Sequence, residues 1–147
     1  MIKDEQIMAK VIRSGASTNK FTFTYDNLNK NRNAIFKDLI DFLIQTCAGI
    51  PNGILLVFPS FKIQMDFKYE LMRSSKKEKL TSAKDIIFEE KSSDINMADF
   101  KKKALSKKGA ILAIICRGKV SEGIDFPDGM CRAVILVGVP YPNIKDP

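Results

Sequence analysis

A polar segment enclosed by two apolar runs constrains the fold of this chain more than any other feature. The run before it, residues 110–115, and the run after it, residues 133–139, contain no hydrogen-bonding side chain. Strands that are apolar along their whole length are typical of parallel sheets covered on both faces. The polar segment between them, residues 116–126, is where an α/β protein would place a ligand-binding loop. Its cations, hydroxyl and carboxylates suit a site that holds phosphates and a sugar; they are Arg117, Lys119, Ser121, Glu122 and Asp125.

Composition limits the classes of function. A length of 147 residues fits one domain with its own core. The net charge of +7 is compatible with nucleic-acid binding, but charge alone is a weak indication. Because histidine is absent, the Ser-His-Asp triad and histidine-containing zinc sites are excluded. The three cysteines are far apart and fit no metal-binding spacing, so we expect no metal site in this chain. No apolar run is long enough for a membrane span, and we expect no membrane contact.

The order of apolar and polar segments predicts a parallel sheet flanked by helices. The predicted strands are residues 21–25, 54–58, 85–89, 110–115 and 133–139. The predicted helices are residues 34–47, residues 61–72 with Ser60 as N-cap, and a segment capped by Ser93 or Asp94 that runs to about Ser106. Residues 49–53 are predicted to form a turn, residues 27–32 a polar link, and residues 73–84 a mobile surface loop.

Ligands bind at the carboxyl ends of the strands in such a sheet. Three segments are expected to converge there: residues 59–61, residues 117–125 and residues 140–143. Ser60 at a helix start could present its hydroxyl and nearby N–H groups to a phosphate. The alternative is that Ser60 is an ordinary helix cap.

At two places the residues resemble a known family. Residues 117–126, Arg-Gly-Lys-Val-Ser-Glu-Gly-Ile-Asp-Phe, resemble motif V of the XPD-like branch of superfamily 2 DNA helicases. Residues 53–61, Gly-Ile-Leu-Leu-Val-Phe-Pro-Ser-Phe, resemble its motif IV region. Residues 132–135 and 138–143 are similar to the family's segment after motif V, and residues 2–7 to the stretch that leads into the second motor domain. Residues 140–146 are most similar to the Fanconi anaemia group J helicase and then to the telomere-elongation helicase.

The resemblance implies a RecA-like fold of the P-loop NTPase type, in which two motor domains close around ATP and Mg²⁺ and move along single-stranded or forked DNA. Gly123 and Asp125 match positions that face the nucleotide, and Glu122 is grouped with them without a firm role. The positions expected to face DNA are Ser60, Phe61, Arg117, Lys119 and Ser121. The family's 4Fe–4S cluster belongs to the first motor domain, so none of the cysteines here is expected to bind it.

Each assignment has a plainer alternative. Asp125 could cap a helix, Glu122 could be a solvated acid, and Arg117 and Lys119 could serve only solubility. The lysine runs at 76–79 and 101–108 are expected to be solvated faces and not a DNA groove.

The chain also departs from the family pattern. It contains no phosphate-binding loop and no Asp-Glu-Ala-His box, and the arginine-bearing motif VI would lie beyond Pro147. Phe61 stands where relatives commonly have tyrosine. We therefore expect residues 1–147 to be a truncated second RecA-like domain with motifs IV to V, cut from a longer protein, and to hold no catalytic residue that could hydrolyse ATP alone.

The sequence-level hypothesis is a fragment of an ATP-dependent 5′-to-3′ DNA helicase that acts in nuclear DNA repair. Its expected partners are DNA, the missing first motor domain in cis and repair-complex proteins. One alternative is a free-standing, catalytically inactive nucleic-acid-binding domain. The other is an XPD-type transcription and excision-repair helicase, because motif V alone does not separate the subfamilies.

Overall fold

A parallel sheet forms the centre of the molecule. The computed structural model describes residues 3–17 and 19–139, and the predicted segment 140–143 lies outside them. The strands are β1 (Gly53–Phe58), β2 (Asp85–Phe88), β3 (Ala110–Ile115) and β4 (Ala133–Leu136). Their order is β2-β3-β1-β4, and every pairing is parallel. Within the described part of the chain, the predicted fold class is confirmed.

Helices cover both faces of this sheet. They are α1 (Tyr25–Cys47), α2 (Phe61–Arg73), α3 (Lys77–Ala83), α4 (Met97–Leu105) and α5 (Lys119–Gly123). Side chains of β1 alternate between two apolar clusters: Ile54 and Leu56 face α1, α2 and α3, while Leu55 faces α4 and α5. β1 and β3 are therefore buried along their length, as their unbroken apolar sequence predicted.

The prediction for residues 21–32 was wrong. Tyr25, assigned to a strand, begins α1, and the supposed polar link is the first part of the same helix. Thr24 caps the helix by accepting a hydrogen bond from the N–H of Asn27 at 3.4 Å. Asn31 has non-helical angles (φ −126°, ψ 17°) and marks a kink before the apolar half of the helix. Its amide donates to the side chain of Asn27, so local polar bonds carry the helix across the polar stretch.

The prediction of a mobile loop at residues 73–84 was also wrong, because this stretch contains α3. Leu80 is fully buried in the first apolar cluster and anchors the helix. One apolar side chain among lysines and serines gives no helical period, which explains why the pattern did not reveal α3. The following predicted strand, β2, is present.

Two smaller predictions are corrected as well. α4 is capped by Asn96, whose side chain accepts from the N–H of Asp99 at 3.0 Å, and not by Ser93 or Asp94. β4 was expected to be covered on both faces, but Val134 and Leu136 are 56% and 63% exposed. They pair with Leu55 and Val57 on the α4 side of the sheet, where the helices do not reach the edge strand.

Lys84 lies buried at the amino edge of the sheet, opposite the expected ligand edge. Its Nζ donates to the carbonyl oxygens of Asn52 (2.9 Å) and Lys108 (3.4 Å). Burial lowers the pKa of Lys84, and the neighbouring Cys47 partly opposes this shift. For Cys47, burial raises the thiol pKa from 9.0 to about 11, and the Lys84 ammonium partly opposes that shift.

The buried Cys47 thiol should be hard to label. We expect native Cys47 to react with iodoacetamide at pH 8.5 at least about tenfold more slowly than the half-exposed Cys116, because the thiolate is the nucleophile and Cys47 holds its proton. Peptide mass spectrometry measures both rates, and the guanidinium-unfolded chain is the control in which the two should converge. Between roughly pH 9 and 11 the unfolded thiol ionises before the folded one, so the contribution of Cys47 to stability should fall as pH rises, while the lowered pKa of Lys84 contributes with the opposite sign. Equal labelling rates for Cys47 and Cys116 in the native protein would contradict the burial of the Cys47 thiol.

No helix among the described residues has the length and apolar character needed to cross a membrane.

Candidate functional site

Two of the predicted ligand segments meet at the carboxyl edge of the sheet. Phe58 ends β1 and Ile115 ends β3, and the two residues are paired in register. The N–H of Cys116 donates to the carbonyl oxygen of Phe58 at 2.8 Å, so the strands separate only after this point. The start of α2 and the 116–126 segment therefore leave the sheet side by side, which confirms the predicted convergence of these two segments.

A tight turn follows β3. The N–H of Gly118 donates to the carbonyl oxygen of Ile115 at 2.9 Å. Arg117 sits in this turn with φ +61°, a conformation that is uncommon for a residue with a side chain. Arg117 is exposed to solvent, so its guanidinium is accessible to a phosphate group.

The predicted polar loop contains a short helix, α5, immediately after the turn. Val120 is buried in the second apolar cluster and fixes the helix to the sheet. Lys119, Ser121 and Glu122 are exposed. The Ser121 hydroxyl donates to the carbonyl oxygen of Gly118 at 3.0 Å, which orients it toward the turn. The two cations and the hydroxyl assigned to DNA are thus all exposed within five consecutive residues, 117–121.

The segment after α5 alternates between anchoring and exposed positions. Ile124 and Phe126 are half-buried against the second apolar cluster, and the Phe126 ring meets Phe100 edge-on with centroids 6.3 Å apart. Asp125 between them is exposed. A Cβ placed on Gly123 would meet no other atom within 4 Å. This surface can accept a ligand group against bare backbone, with one carboxylate beside it as a hydrogen-bond acceptor.

Ser60 and Phe61 open α2 on the neighbouring side of the same edge. Ser60 is half-buried, and its side chain accepts from the N–H of Ile63 at 3.3 Å, so the expected N-cap is confirmed. Phe61 is half-buried against the first apolar cluster. The ammonium of Lys91 lies 5.2 Å from the centroid of the Phe61 ring. Such a cation–π contact places a positive charge beside the aromatic ring.

Lys91 is a candidate site residue that sequence reasoning missed. It follows β2, which is not adjacent to β1 in the sheet, so only the tertiary path of the chain brings it to Phe61. Lys91 is exposed to solvent, and its ammonium contacts the Phe61 ring. By contrast, Lys119 makes a 3.8 Å ion pair with Asp94 between side chains that are 82% and 92% exposed. A pair so exposed contributes little and leaves the lysine available.

The segment expected to face the nucleotide is open to solvent in the described structure. Gly123 and Asp125 present an open backbone face and a carboxylate, which fit a sugar hydroxyl or a nearby phosphate edge. Among the described residues, no group of three or more Cys, Asp or Glu side chains could hold a metal ion. Cys47 is buried beside Lys84 at the amino edge, whereas Cys116 follows β3 at the carboxyl edge, so these two cysteines are not placed to ligate one cluster.

Comparison with known proteins identifies relatives of this arrangement. The helicase C-terminal domain family matches residues 43–147, which is more than half of the chain. The chain is 35% identical over 128 residues to the ATP-dependent DNA helicase CHL1 of Vanderwaltozyma polyspora, covering 85% of this chain and 15% of the relative. It is 30% identical over 150 residues to the regulator of telomere elongation helicase 1 homolog of Drosophila melanogaster, covering 100% of this chain and 15% of the relative.

A third relative, the ATP-dependent DNA helicase CHL1 of Candida glabrata, is 32% identical over 127 residues, covering 85% of this chain and 15% of the relative. The chain therefore spans only a small part of the length of these curated helicases. The family match includes both segments that form the carboxyl edge, and the relatives bear out the resemblance drawn from motifs IV and V. The chain belongs to the helicase C-terminal domain family, within the XPD-like superfamily 2 DNA helicases.

Proposed function

We propose that this chain is part of the second RecA-like motor domain of an ATP-dependent 5′-to-3′ DNA helicase. One observation carries the proposal. In the 116–126 segment the apolar residues are anchored in the core, while the cations, the hydroxyl and the carboxylates all face solvent at the carboxyl edge. This division leaves the polar side chains accessible at the sheet edge where α/β proteins bind their ligands.

The DNA-facing surface combines charge with one aromatic ring. Arg117 and Lys119 supply solvent-accessible cations, and Ser121 supplies a hydroxyl. Phe61 supplies an aromatic ring that is in contact with the ammonium of Lys91. Phosphate contacts and stacking bind single strands with little dependence on sequence, as a motor that follows the backbone requires. Ser60 contributes chiefly by starting α2 and thereby fixing Phe61.

The nucleotide-facing surface is the stretch from Glu122 to Asp125. ATP and Mg²⁺, when bound between this surface and the first motor domain, supply the phosphoryl-transfer chemistry. In this chain the Asp125 carboxylate would accept a hydrogen bond from the ribose, and Gly123, where an added Cβ meets nothing within 4 Å, would let the nucleotide approach the backbone. Glu122 lies one helical position from Ser121, so the two surfaces share α5. An element in contact with both ligands can couple their affinities.

The proposal includes a setting for the parent protein. ATP binding requires the first motor domain in cis, and any 4Fe–4S cluster belongs to that domain. Nuclear localisation, a role in DNA repair or genome maintenance, and contacts with repair-complex proteins come from the same resemblance. The named functions of the relatives, DNA helicase and telomere elongation regulation, support this setting.

A charge-removal experiment tests the DNA-facing assignment. We expect this chain to bind single-stranded DNA weakly, with an affinity that falls steeply as salt rises, because bound phosphates release counterions. Arg117→Ala should weaken binding by roughly threefold to tenfold. It should also reduce the slope of log affinity against log salt concentration by about one, because one phosphate contact is lost. Arg117→Gly should weaken binding similarly while the turn is relieved of its left-handed strain. Fluorescence anisotropy with labelled oligonucleotides at several salt concentrations measures both.

Lys107→Ala is the matched control, because it removes one exposed lysine just before β3, at the amino edge of the sheet. It should change affinity far less than Arg117→Ala. Equal effects of the two variants would mean that binding follows net charge and not this surface. If affinity did not depend on salt, this surface would not bind DNA through phosphates. Tight binding by a naturally free-standing form of this chain would favour the inactive binding-domain alternative.

A further inference from the structure

Glu89 is a buried carboxylate at the carboxyl end of β2 that the two ligand surfaces do not use. It is only 7% exposed. Its backbone N–H donates to the carbonyl oxygen of Ala113 at 2.8 Å, which continues the pairing of β2 with β3. Its side chain supplies the next bond: Oε2 accepts from the N–H of Ile115 at 2.8 Å. The carboxylate therefore extends the β2–β3 ladder by one bond after the strand itself has ended.

The same carboxylate lies against the far end of the turn at residues 115–118. A Cβ on Gly118 would stand 2.8 Å from Oε1 and 3.0 Å from Oε2 of Glu89. The backbone of Gly118 is thus in close contact with the carboxylate, while its N–H closes the turn on Ile115. Glu89 contacts the first and last residues of the turn and leaves no room for a side chain at the last.

This turn needs support. It holds Arg117 in the left-handed region and leads directly into α5. A residue with a side chain remains in that region only where its surroundings determine it. A carboxylate placed beneath a phosphate-gripping surface also disfavours DNA electrostatically. A negative group at this position is therefore best explained by what it does for the backbone.

We propose that Glu89 is a positioning residue for the DNA-facing surface, an inference that rests on the proposed function. By accepting the Ile115 N–H and packing under Gly118, it fixes the turn that aims Arg117 and sets the direction of α5. What matters in Glu89 is an acceptor oxygen at the right distance from the Ile115 N–H, and not its negative charge. β2 thereby contributes to DNA binding without touching DNA through this residue.

The test compares three substitutions in the full-length helicase that carries this domain. Glu89→Ala should raise the single-stranded DNA concentration that half-saturates ATP hydrolysis by about tenfold, since it removes the acceptor of a buried N–H. Glu89→Gln keeps an oxygen of the same reach and should stay within about threefold of wild type. Glu89→Asp keeps the charge but withdraws it by one methylene, so it should behave like the alanine variant and serves if alanine does not fold.

Two controls separate positioning from general destabilisation. Glu90→Ala removes the neighbouring carboxylate, which is 55% exposed and pairs with Lys68, and should leave half-saturation unchanged. Leu80→Val shortens a core side chain of α3 and should lower the melting temperature without raising half-saturation. The inference is overturned if Glu89→Ala and Glu89→Asp leave half-saturation within twofold of wild type, or if Glu89→Gln is as damaging as alanine. A wild-type protein with no DNA-dependent hydrolysis would instead remove the proposed function.

Discussion

Asp125→Ala in the full-length helicase is expected to lower DNA-stimulated ATP hydrolysis by about tenfold to a hundredfold, because a hydrogen bond to a charged group contributes roughly 1.5–3 kcal/mol. The melting temperature should not change, since Asp125 is exposed and the apolar anchoring at this point comes from Ile124 and Phe126. Steady-state ATPase assays at saturating DNA, with thermal unfolding of the same samples, measure both quantities.

The control for Asp125 is Glu78→Ala, which removes an exposed carboxylate from the first turn of α3, in the helix layer that packs with α1 and α2. It should leave hydrolysis at the wild-type rate. Unchanged turnover in Asp125→Ala would eliminate the nucleotide-facing role. A large fall in melting temperature would support instead the interpretation that Asp125 is a structural cap.

Gly53→Ala is expected to destabilise the domain by about 3 kcal/mol or more, because overpacking against backbone cannot be relieved by a change of rotamer. The added Cβ would overlap the carbonyl group of Met130. That backbone cannot withdraw easily, since the N–H of Arg132 donates to the carbonyl oxygen of Gly53 at 2.7 Å. Gly53 also begins β1, which pairs with β3 on one side and β4 on the other.

Urea unfolding of the chain followed by circular dichroism measures this loss. Gly123→Ala is the matched control: the same chemical change is made where the new Cβ meets nothing within 4 Å, so stability should stay within about 0.5 kcal/mol of wild type. If the Gly53 variant were as stable as the Gly123 variant, the close packing of the 130–132 segment on β1 would be wrong.

The sequence predicts the centre of this fold well and its margins poorly, for a physical reason. Strands β1 and β3 are buried on both faces, so every position in them must be apolar and the pattern is unambiguous. Residues 21–25 show the alternation of a strand, yet they pair with none of the strands in the described sheet. Phe21 and Phe23 stack on each other with centroids 5.9 Å apart and pack on the core as side chains, while Tyr25 already belongs to α1. Tertiary packing decides such segments, and local pattern does not.

In the candidate site, too, some residues could be predicted from the sequence and others depend on tertiary packing. The 116–126 segment could be found because its residue types are unusual and its place between two buried strands is visible in the chain. The short helix within it could not, because Val120 is its one buried residue. Glu89 and Lys91 were missed since an acid and a lysine after a strand are ordinary in sequence. Their roles depend on contacts with Ile115, Gly118 and Phe61 that arise only when β2 lies beside β3.

The most direct test of the central claim is ATP hydrolysis by the full-length protein, measured with and without single-stranded DNA, together with unwinding of substrates that carry either a 5′ or a 3′ single-stranded tail. The proposal predicts hydrolysis that DNA stimulates strongly, unwinding only from the 5′ tail, and no hydrolysis by residues 1–147 alone. DNA binding without any nucleotide hydrolysis in the full-length protein would contradict it and would leave an inactive binding domain as the function of this chain.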